Sequence, residues 1–576
     1  MFNKKNKIPH LILFLVLFLV TGCHLPSRQS PDMSAVATVF AELEQTLTPG
    51  ANEPSTQSTQ TTNDSQSDNI QDGPDETLKV YYHPGLPKNL IENLSLPQTF
   101  EEALQDDADV SILMGKNDYE RHSISSSTWV YALVAPFYTI ADEITFEEFS
   151  ALWQGNADDQ TSFSRIIITN ETREALIELL GQPDDRVVET TPLHALTELA
   201  LTDEPFLSVL PFDELEPHWK VLRIDGQSPI DSDFFLDSYA LSVDIWAEGN
   251  TRDFLLPVNY DPQMKTVLIM TGVTALTRAT AYRMEINGNQ YPGRDVLPWF
   301  SAADLVHISN EVPFADNCPY PNPFQSDLIF CSSPDRIELL EYIGANIIEL
   351  SGNHMLDYGI NAMNLTLEMY AERGWETFAG GWDVMDSRSP ALVTHHGNQL
   401  AFIGCNPAGP PYSWAAESKP GSTPCGDYQW MVDEIRYLRS SGYLPIVTLQ
   451  YIEDYTAYPS AQMVADFQRL ADAGAIMVSG SQAHTPKTMM FYEGSFLHYG
   501  LGNLFFDQME VYYSGILMQG TREAFLDRLV FYDGRLISID LLTTMLEDYA
   551  RPRPMTAAER YNLLSRIFSI AVNAYD

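Results

Sequence analysis

The chain has 576 residues, too many for one hydrophobic core, so two or more domains are expected. Lys and Arg total 33 against 78 Asp and Glu, a formal net charge of −45. That balance argues against nucleic-acid binding and against an electrostatic grip on anionic lipid, and an anionic polymer would be repelled unless a metal or a local basic patch intervened.

Lys4, Lys5 and Lys7 precede an apolar run, Leu11 to Val20, that is short for a membrane span. Val20-Thr21-Gly22-Cys23 comes next and resembles the bacterial lipobox, which implies cleavage before Cys23 and lipidation of that residue. Residues 1–23 therefore read as a lipoprotein signal peptide. The protein is expected outside the cytoplasm, lipid-anchored to the bacterial cell membrane. Residues 24–76 are rich in Ser, Thr, Gln, Asn, Asp and Pro and read as a disordered tether.

Residues 77–250 read as a first α/β domain. Val130–Ala135 and Phe206–Leu210 are strand candidates. Between them, Thr145 caps a helix that runs to Trp153 and closes at Gly155. The segment Ala135 to Asn156, an apolar strand leading to a small helix that ends in W-x-G, resembles part of the phosphate-type periplasmic solute-binding proteins. Leu207 to Asp225 is similar to a later part of that fold. The resemblance implies a solute-binding-like domain and names no ligand contact. An α/β accessory domain that binds nothing small fits the same residues.

From about Asp261 to residue 550 the pattern is a regular alternation of strand and helix. Strands are predicted at Thr266–Met270, Leu305–Ile308, Ile347–Leu350, Leu400–Ile403, Ile446–Leu449 and Ala475–Val478. Helices are predicted from Pro334 to Tyr342 with Ser333 as cap, from Ile360 to Arg373, and from Ala461 to Ala473 with Ser460 as cap. Asp533-Gly534 marks a hairpin, and Ala557–Ala571 a terminal helix within residues 551–576.

Four cysteines lie beyond Cys23: Cys318, Cys331, Cys405 and Cys425. Outside the membrane an even count suggests disulfides. Cys318–Cys331 and Cys405–Cys425 is the preferred pairing, since each closes a short Pro-rich loop. A four-cysteine zinc site is the alternative, though no C-x2-C spacing supports it.

In open α/β sheets, functional side chains gather beyond the carboxyl ends of strands. Those ends carry Gly272, then Asn310-Glu311, then Gly352-Asn353-His354 with Asp357. Later ends carry Gln450-Tyr451, Gln482 with His484, and finally Asn503. This repetition of Asn, Glu, His, Gln and Gly suggests one shared cleft.

The same residues carry a family resemblance over about 265–510. Their order and spacing resemble the CapA capsule-synthesis family, tied to poly-γ-glutamate production and part of the calcineurin-like metallophosphoesterase superfamily. The resemblance implies an α/β/β/α sandwich, preceded here by the smaller α/β domain, with two metals at the strand ends. The residues match less well than the spacing. The family's first aspartate falls on Val273, its N-L-E on Ser309-Asn310-Glu311, and its N-N-H on Gly352-Asn353-His354, with Asp357 and Gly359 kept. Its H-W-G falls on Gln450-Tyr451-Ile452, its G-x-H-P-H on Gly480 to His484 with Gln482 in place of the first His, and its Y-S-L-G-N on Tyr499 to Asn503.

Val cannot ligate a metal, and Gln is a weak neutral ligand beside imidazole. Two-metal activation of water needs ions about 3.5–4 Å apart, which this donor set makes doubtful. Glu311, Asn353 and His484 suit at most one divalent ion, of manganese, zinc or iron type. His354 and Asp357 are the catalytic candidates, with His354 as general acid or anion ligand. Gly272, Gln450, Gln482 and Asn503 would line the site.

Three functions stand as expectations. The first is a binding or assembly component, with a degenerate metal centre, in synthesis or export of a capsule or poly-γ-glutamate-type polymer. The second is a single-metal hydrolase or ligase, and the third a solute or peptide receptor acting through residues 77–250. The implied partners are the cell membrane, polymer-synthesis membrane proteins and an anionic polymer. His395-His396 reads as a surface turn. Tyr451, Tyr455, Tyr458 and Trp414 could line a groove or simply pack.

Overall fold

The computed structural model describes residues 77–95, 99–115, 123–157, 162–202, 204–249, 254–513 and 515–572. Residues 73–576 form one compact unit. The signal segment 1–23 with Cys23 and the tether 24–76 lie outside the described residues. No helix among the described residues is long and apolar enough to cross a membrane.

A seven-stranded sheet comes first. Its order is Phe100–Glu102, Leu78–Tyr82, Val110–Gly115, Ser242–Gly249, Ser125–Pro136 and Ser208–Pro211, with Trp219–Val221 also on Ser125–Pro136. The helix Phe146–Trp153 starts as predicted. Thr145 Oγ1 accepts from Glu148 N–H at 3.1 Å, and the Glu148 carboxylate accepts from Thr145 N–H at 2.8 Å. The apolar core of this sheet continues into Val267, Val530, Tyr532 and Ile537, so it is fused to the sheets formed by the rest of the chain.

Two further sheets build an α/β/β/α sandwich, and the alternation of apolar residues explains the four layers. A nine-stranded sheet runs Glu376–Phe378, Ile347–Glu349, Leu305–Asn310, Lys265–Thr271, Glu523–Tyr532, Arg535–Glu547 and Arg551–Pro554, with Val273–Thr274 and Asn503–Phe505 beside it. A six-stranded sheet runs Ala391–His395, Asn398–Cys405, Leu444–Leu449, Met477–Gly480, Ser495–His498 and Met489–Tyr492. Leu268, Met270, Leu305 and Ile347 point inward, onto Leu400, Phe402, Leu444, Ile446 and Met477 of the other sheet. Their neighbours Ile269, Val306, Ile308 and Ile348 point outward, onto Met284, Phe300, Leu339, Met363 and Leu367 of the helices. On the far side Ile403, Val447, Leu449 and Val478 meet Met431, Ile435, Phe467 and Leu470. Strands buried on both faces must be apolar throughout, which is why they read as continuous runs.

All six predicted strands of this region form. Ala475–Val478 shifts to Met477–Gly480, because Gly474 ends the preceding helix at positive φ and Ala475 and Ile476 complete the turn. The predicted helix over 334–342 opens with a tighter turn at Pro334–Arg336 and is α-helical only over Ile337–Tyr342. Ser333 stands at its start but does not cap it, since its hydroxyl bonds Asp335 instead. Ser460 does cap Ala461–Asp472, accepting from Met463 N–H at 3.1 Å.

Asp533-Gly534 joins Glu523–Tyr532 to Arg535–Glu547 in a tight hairpin, both residues at positive φ. His396-Gly397 turns the hairpin between Ala391–His395 and Asn398–Cys405. The His395 imidazole bonds Thr266 and the His396 imidazole bonds the Lys265 carbonyl, both on the first strand of the nine-stranded sheet. Both preferred disulfides are present, Cys318–Cys331 and Cys405–Cys425.

Candidate functional site

The parallel strands of both inner sheets end at one edge, and their terminal loops meet there. A cavity of about 840 Å³ opens at this edge. Glu311, His354, Gln482 and His484 line it, together with Arg278 and Glu453. Asn353 and Gln450 join the same cluster by hydrogen bonds.

The strand Ile347–Glu349 carries Glu349 at its carboxyl end, and Asn353 and His354 come just after it. Gly352 is required by close approach: a Cβ there would stand 2.6 Å from Glu311 Cα. Gly272 is required likewise, since a Cβ would collide with the Gly502 carbonyl oxygen. Val273 is packed among Ala275, Val312, Phe330 and Phe506.

Gln450 is the centre of the arrangement. Its amide nitrogen lies 3.1 Å from Asn353 Oδ1 and 3.5 Å from Glu311 Oε1, and it donates to Gln482 Oε1. Its own amide oxygen accepts from Ser481 Oγ at 3.1 Å. Three oxygens that could face a cation converge instead on a neutral N–H donor. His484 Nδ1 donates to Asn503 Oδ1 at 2.8 Å, and its Nε2 lies 3.8 Å from Glu453. Asn503 also donates to the carbonyls of His484 and Thr521, which holds the ring in place. Among the described residues no group of three or more His, Cys, Asp or Glu is placed to hold an ion. Gln450 and Gln482 are neutral amides and weak ligands, a donor set that does not fit a two-metal centre.

His354 and Asp357 form a dyad. His354 Nδ1 bonds Asp357 Oδ2 at 2.7 Å, and that oxygen also accepts from Phe330 N–H at 2.8 Å, while Oδ1 accepts from Tyr412 at 3.0 Å. Burial alone would lower the imidazole pKa. The hydrogen bond to Asp357 and the charge of Glu311 outweigh it, and the ring sits above its ordinary value.

Behind the cluster Glu349 is fully buried and accepts from Ser351 and, at 2.8 Å, from Ser481. His307 Nε2 lies 3.3 Å from its other oxygen. Burial pushes this carboxyl up, but His307 and the two hydroxyls hold it below the usual range.

Several site residues were not anticipated. Arg278 is clamped between Phe330 and Phe506, 4.9 and 4.8 Å from their ring centres, and paired with Asp507. It stands only a few residues beyond the first strand end, so a longer window there would have found it. Glu349 was legible as the one charged residue within an apolar strand. The aromatic groove does not form as a unit: Tyr455 lines the cavity, but Tyr451 is buried against Asp466, and neither Tyr458 nor Trp414 lines it.

Residues 267–508 match the model of the family described as bacterial capsule synthesis protein PGA_cap. The chain is 22% identical over 316 residues to a capsule biosynthesis protein CapA of Bacillus anthracis, covering 54% of this chain and 74% of that one. It is 28% identical over 323 residues to a probable polyglutamine synthesis accessory protein of Mycobacterium tuberculosis, covering 51% and 81%. Among solved structures, a putative 5'-nucleotidase of Staphylococcus aureus aligns at 9% identity over 52% of this chain and 58% of that one, with a TM-score of 0.31, so the fold rests on the sheets described above. Residues 267–508 are thus similar to the bacterial capsule synthesis proteins that the PGA_cap model describes.

Proposed function

We propose that this protein is a cell-surface lipoprotein that binds or assembles a capsule or poly-γ-glutamate-type polymer, using a metallophosphoesterase-like fold whose metal centre has degenerated. The observation that carries this reading is the Gln450 amide, which occupies the convergence point of Glu311, Asn353 and Gln482. Arg278 and His354 offer donors for a carboxylate of an acidic chain at the cavity wall. The lipobox-like Val20 to Cys23 supports attachment at the membrane, where polymer-synthesis membrane proteins would be the partners.

The test is elemental analysis of the full chain beside a Glu311→Ala/His484→Ala variant. The expected result is no stoichiometric metal in either protein after incubation with manganese, zinc or iron. About one equivalent in the parent, lost in the variant, would overturn the degenerate-centre reading. It would favour a single-metal hydrolase or ligase, with Glu311, Asn353 and His484 holding the ion and His354 as acid.

A second reading, a solute or peptide receptor within the first domain, draws on a separate cavity of about 650 Å³. Tyr131, Thr169 and Glu214 line it, and the buried Tyr131 hydroxyl has no hydrogen-bond partner among the described residues. Solute binding lost in Tyr131→Phe but kept in Arg278→Gln would favour that reading.

A further inference from the structure

A third cavity, of about 390 Å³, shares no lining residue with the strand-end cavity or with the cavity of the first domain. It is lined by three arginines that the sequence places far apart. Arg223 comes from a short strand of the first α/β region, Arg528 from the strand Glu523–Tyr532, and Arg560 from the terminal helix Ala557–Val572. Asp142, Asp231, Asp233 and Asp540 line it as well.

The carboxylates among them are shared. Asp231 takes both Arg223 (3.0 Å through Nε and through Nη2) and Arg528 (3.1 Å). Asp142 takes both Arg560 (2.8 and 2.6 Å) and the buried Lys220 (2.6 Å). Each of these two carboxylates is thus shared between two cations. Asp540 stands 3.9 Å from Arg528 Nη1, too far for a hydrogen bond, and Asp233 faces the same space from an exposed position. Lys265 adds to the crowding. Burial first, and then the charge of Arg528, hold its ammonium down at about 8.

Arg528 Nη1 is the decisive atom. The Arg528 side chain is 7% exposed, and Nη1 is buried with no hydrogen-bond partner among the described residues, while Nη2 is taken by the Ile230 carbonyl at 2.8 Å. A buried charged donor left unmet is costly, and an acceptor entering the cavity would relieve it. The volume lies within the range of small-ligand pockets.

We propose that this cavity binds a small oxyanion, a phosphate or sulfate group or the carboxylate of a small acid, on Arg528 Nη1 with Arg223 and Arg560 beside it. Charge-assisted bonds from planar guanidinium groups suit these anions alike. The site is independent of the family's strand-end cluster and of the polymer-binding role proposed for it.

The test is calorimetric titration of the full chain with sodium phosphate, sodium sulfate and sodium glutarate at constant ionic strength. Saturable binding of at least one is expected, and the one that binds distinguishes a phosphate or sulfate source from a carboxylate source. Arg223→Gln and Arg528→Gln should each weaken it by about tenfold or more. If Arg528→Gln fails to fold, Arg223→Gln, whose side chain is a third exposed, carries the comparison. A His354→Ala variant should bind as the parent does. Silence of the parent toward all three anions overturns the proposal, as does binding that survives Arg223→Gln and disappears in His354→Ala.

Discussion

The amide nitrogen of Gln450 stands 3.1 Å from Asn353 Oδ1, joining the loops after two different sheets at the point where the family's strand ends converge. Removing it leaves the buried oxygens of Glu311 and Gln482 without their shared donor. Gln450→Ala should therefore cost about 1–3 kcal/mol, read as a lowered denaturant midpoint. Gln450→Glu should cost more at pH 8 than at pH 5, because the new carboxylate faces Glu311. Equal loss at both pH values would contradict this placement of Glu311.

Glu349 ties the loops that carry His354 and His484 through Ser351 and Ser481. Glu349→Ala should destabilise by about 3–5 kcal/mol, the usual cost of breaking a buried charged pair. The sign with pH comes from its depressed native pKa. The stability it contributes is present above the unfolded value of 4.5 and lost as pH falls through the native value. Glu349→Gln should flatten that acid limb in a series of unfolding curves. An unchanged limb would show that other carboxylates dominate it.

The Cys405–Cys425 bridge closes a loop with a sequence separation of 20. Cys405 ends a central strand, and the adjacent Asn406 donates to the Ser351 carbonyl at 2.9 Å. Cys405→Ala/Cys425→Ala should lose about 3 kcal/mol on the loop-closure account. Treatment of the parent with a reductant should produce the same loss. A thermal midpoint unmoved by both would rule out the bridge as a stabilising element.

Glu214 has its carboxyl pushed up to about 7, first by burial and then by Asp213 and Glu171. A carboxyl raised in the native state holds its proton more tightly there than when unfolded. Its contribution is full below the ordinary 4.5 and is lost as pH rises through about 7. Glu214→Gln should thus be more stable than the parent at pH 8, by on the order of 2 kcal/mol after allowance for partial exposure, and near parity at pH 4. Circular-dichroism melts at the two pH values decide it. A variant less stable at pH 8 would place the carboxylate in a favourable charged contact.

Much of the fold was legible because the relevant forces are local or periodic. Runs such as Thr266–Met270 and Ile446–Leu449 are apolar on both faces, as strands between two layers must be. Thr145 and Ser460 cap helices through bonds to residues three positions on, a relation visible in any window of a few residues. Ser333 misled because a nearer acceptor, Asp335, takes its hydroxyl.

The repetition of polar residues at the strand ends was enough to suggest that those loops share one cleft. Residue types alone raised the expectation that Glu311, Asn353 and His484 suit at most one ion. Only the tertiary structure decided how those residues are held: Gln450 donates to Asn353, Asn503 accepts from His484, and Glu349 braces both loops from beneath. The arginines at 223, 528 and 560 meet only after the strands and the terminal helix have packed. Side-chain direction and the pairing of buried charges depend on contacts between residues up to hundreds of positions apart. Local propensity holds no information about such contacts, and burial makes each of them energetically decisive.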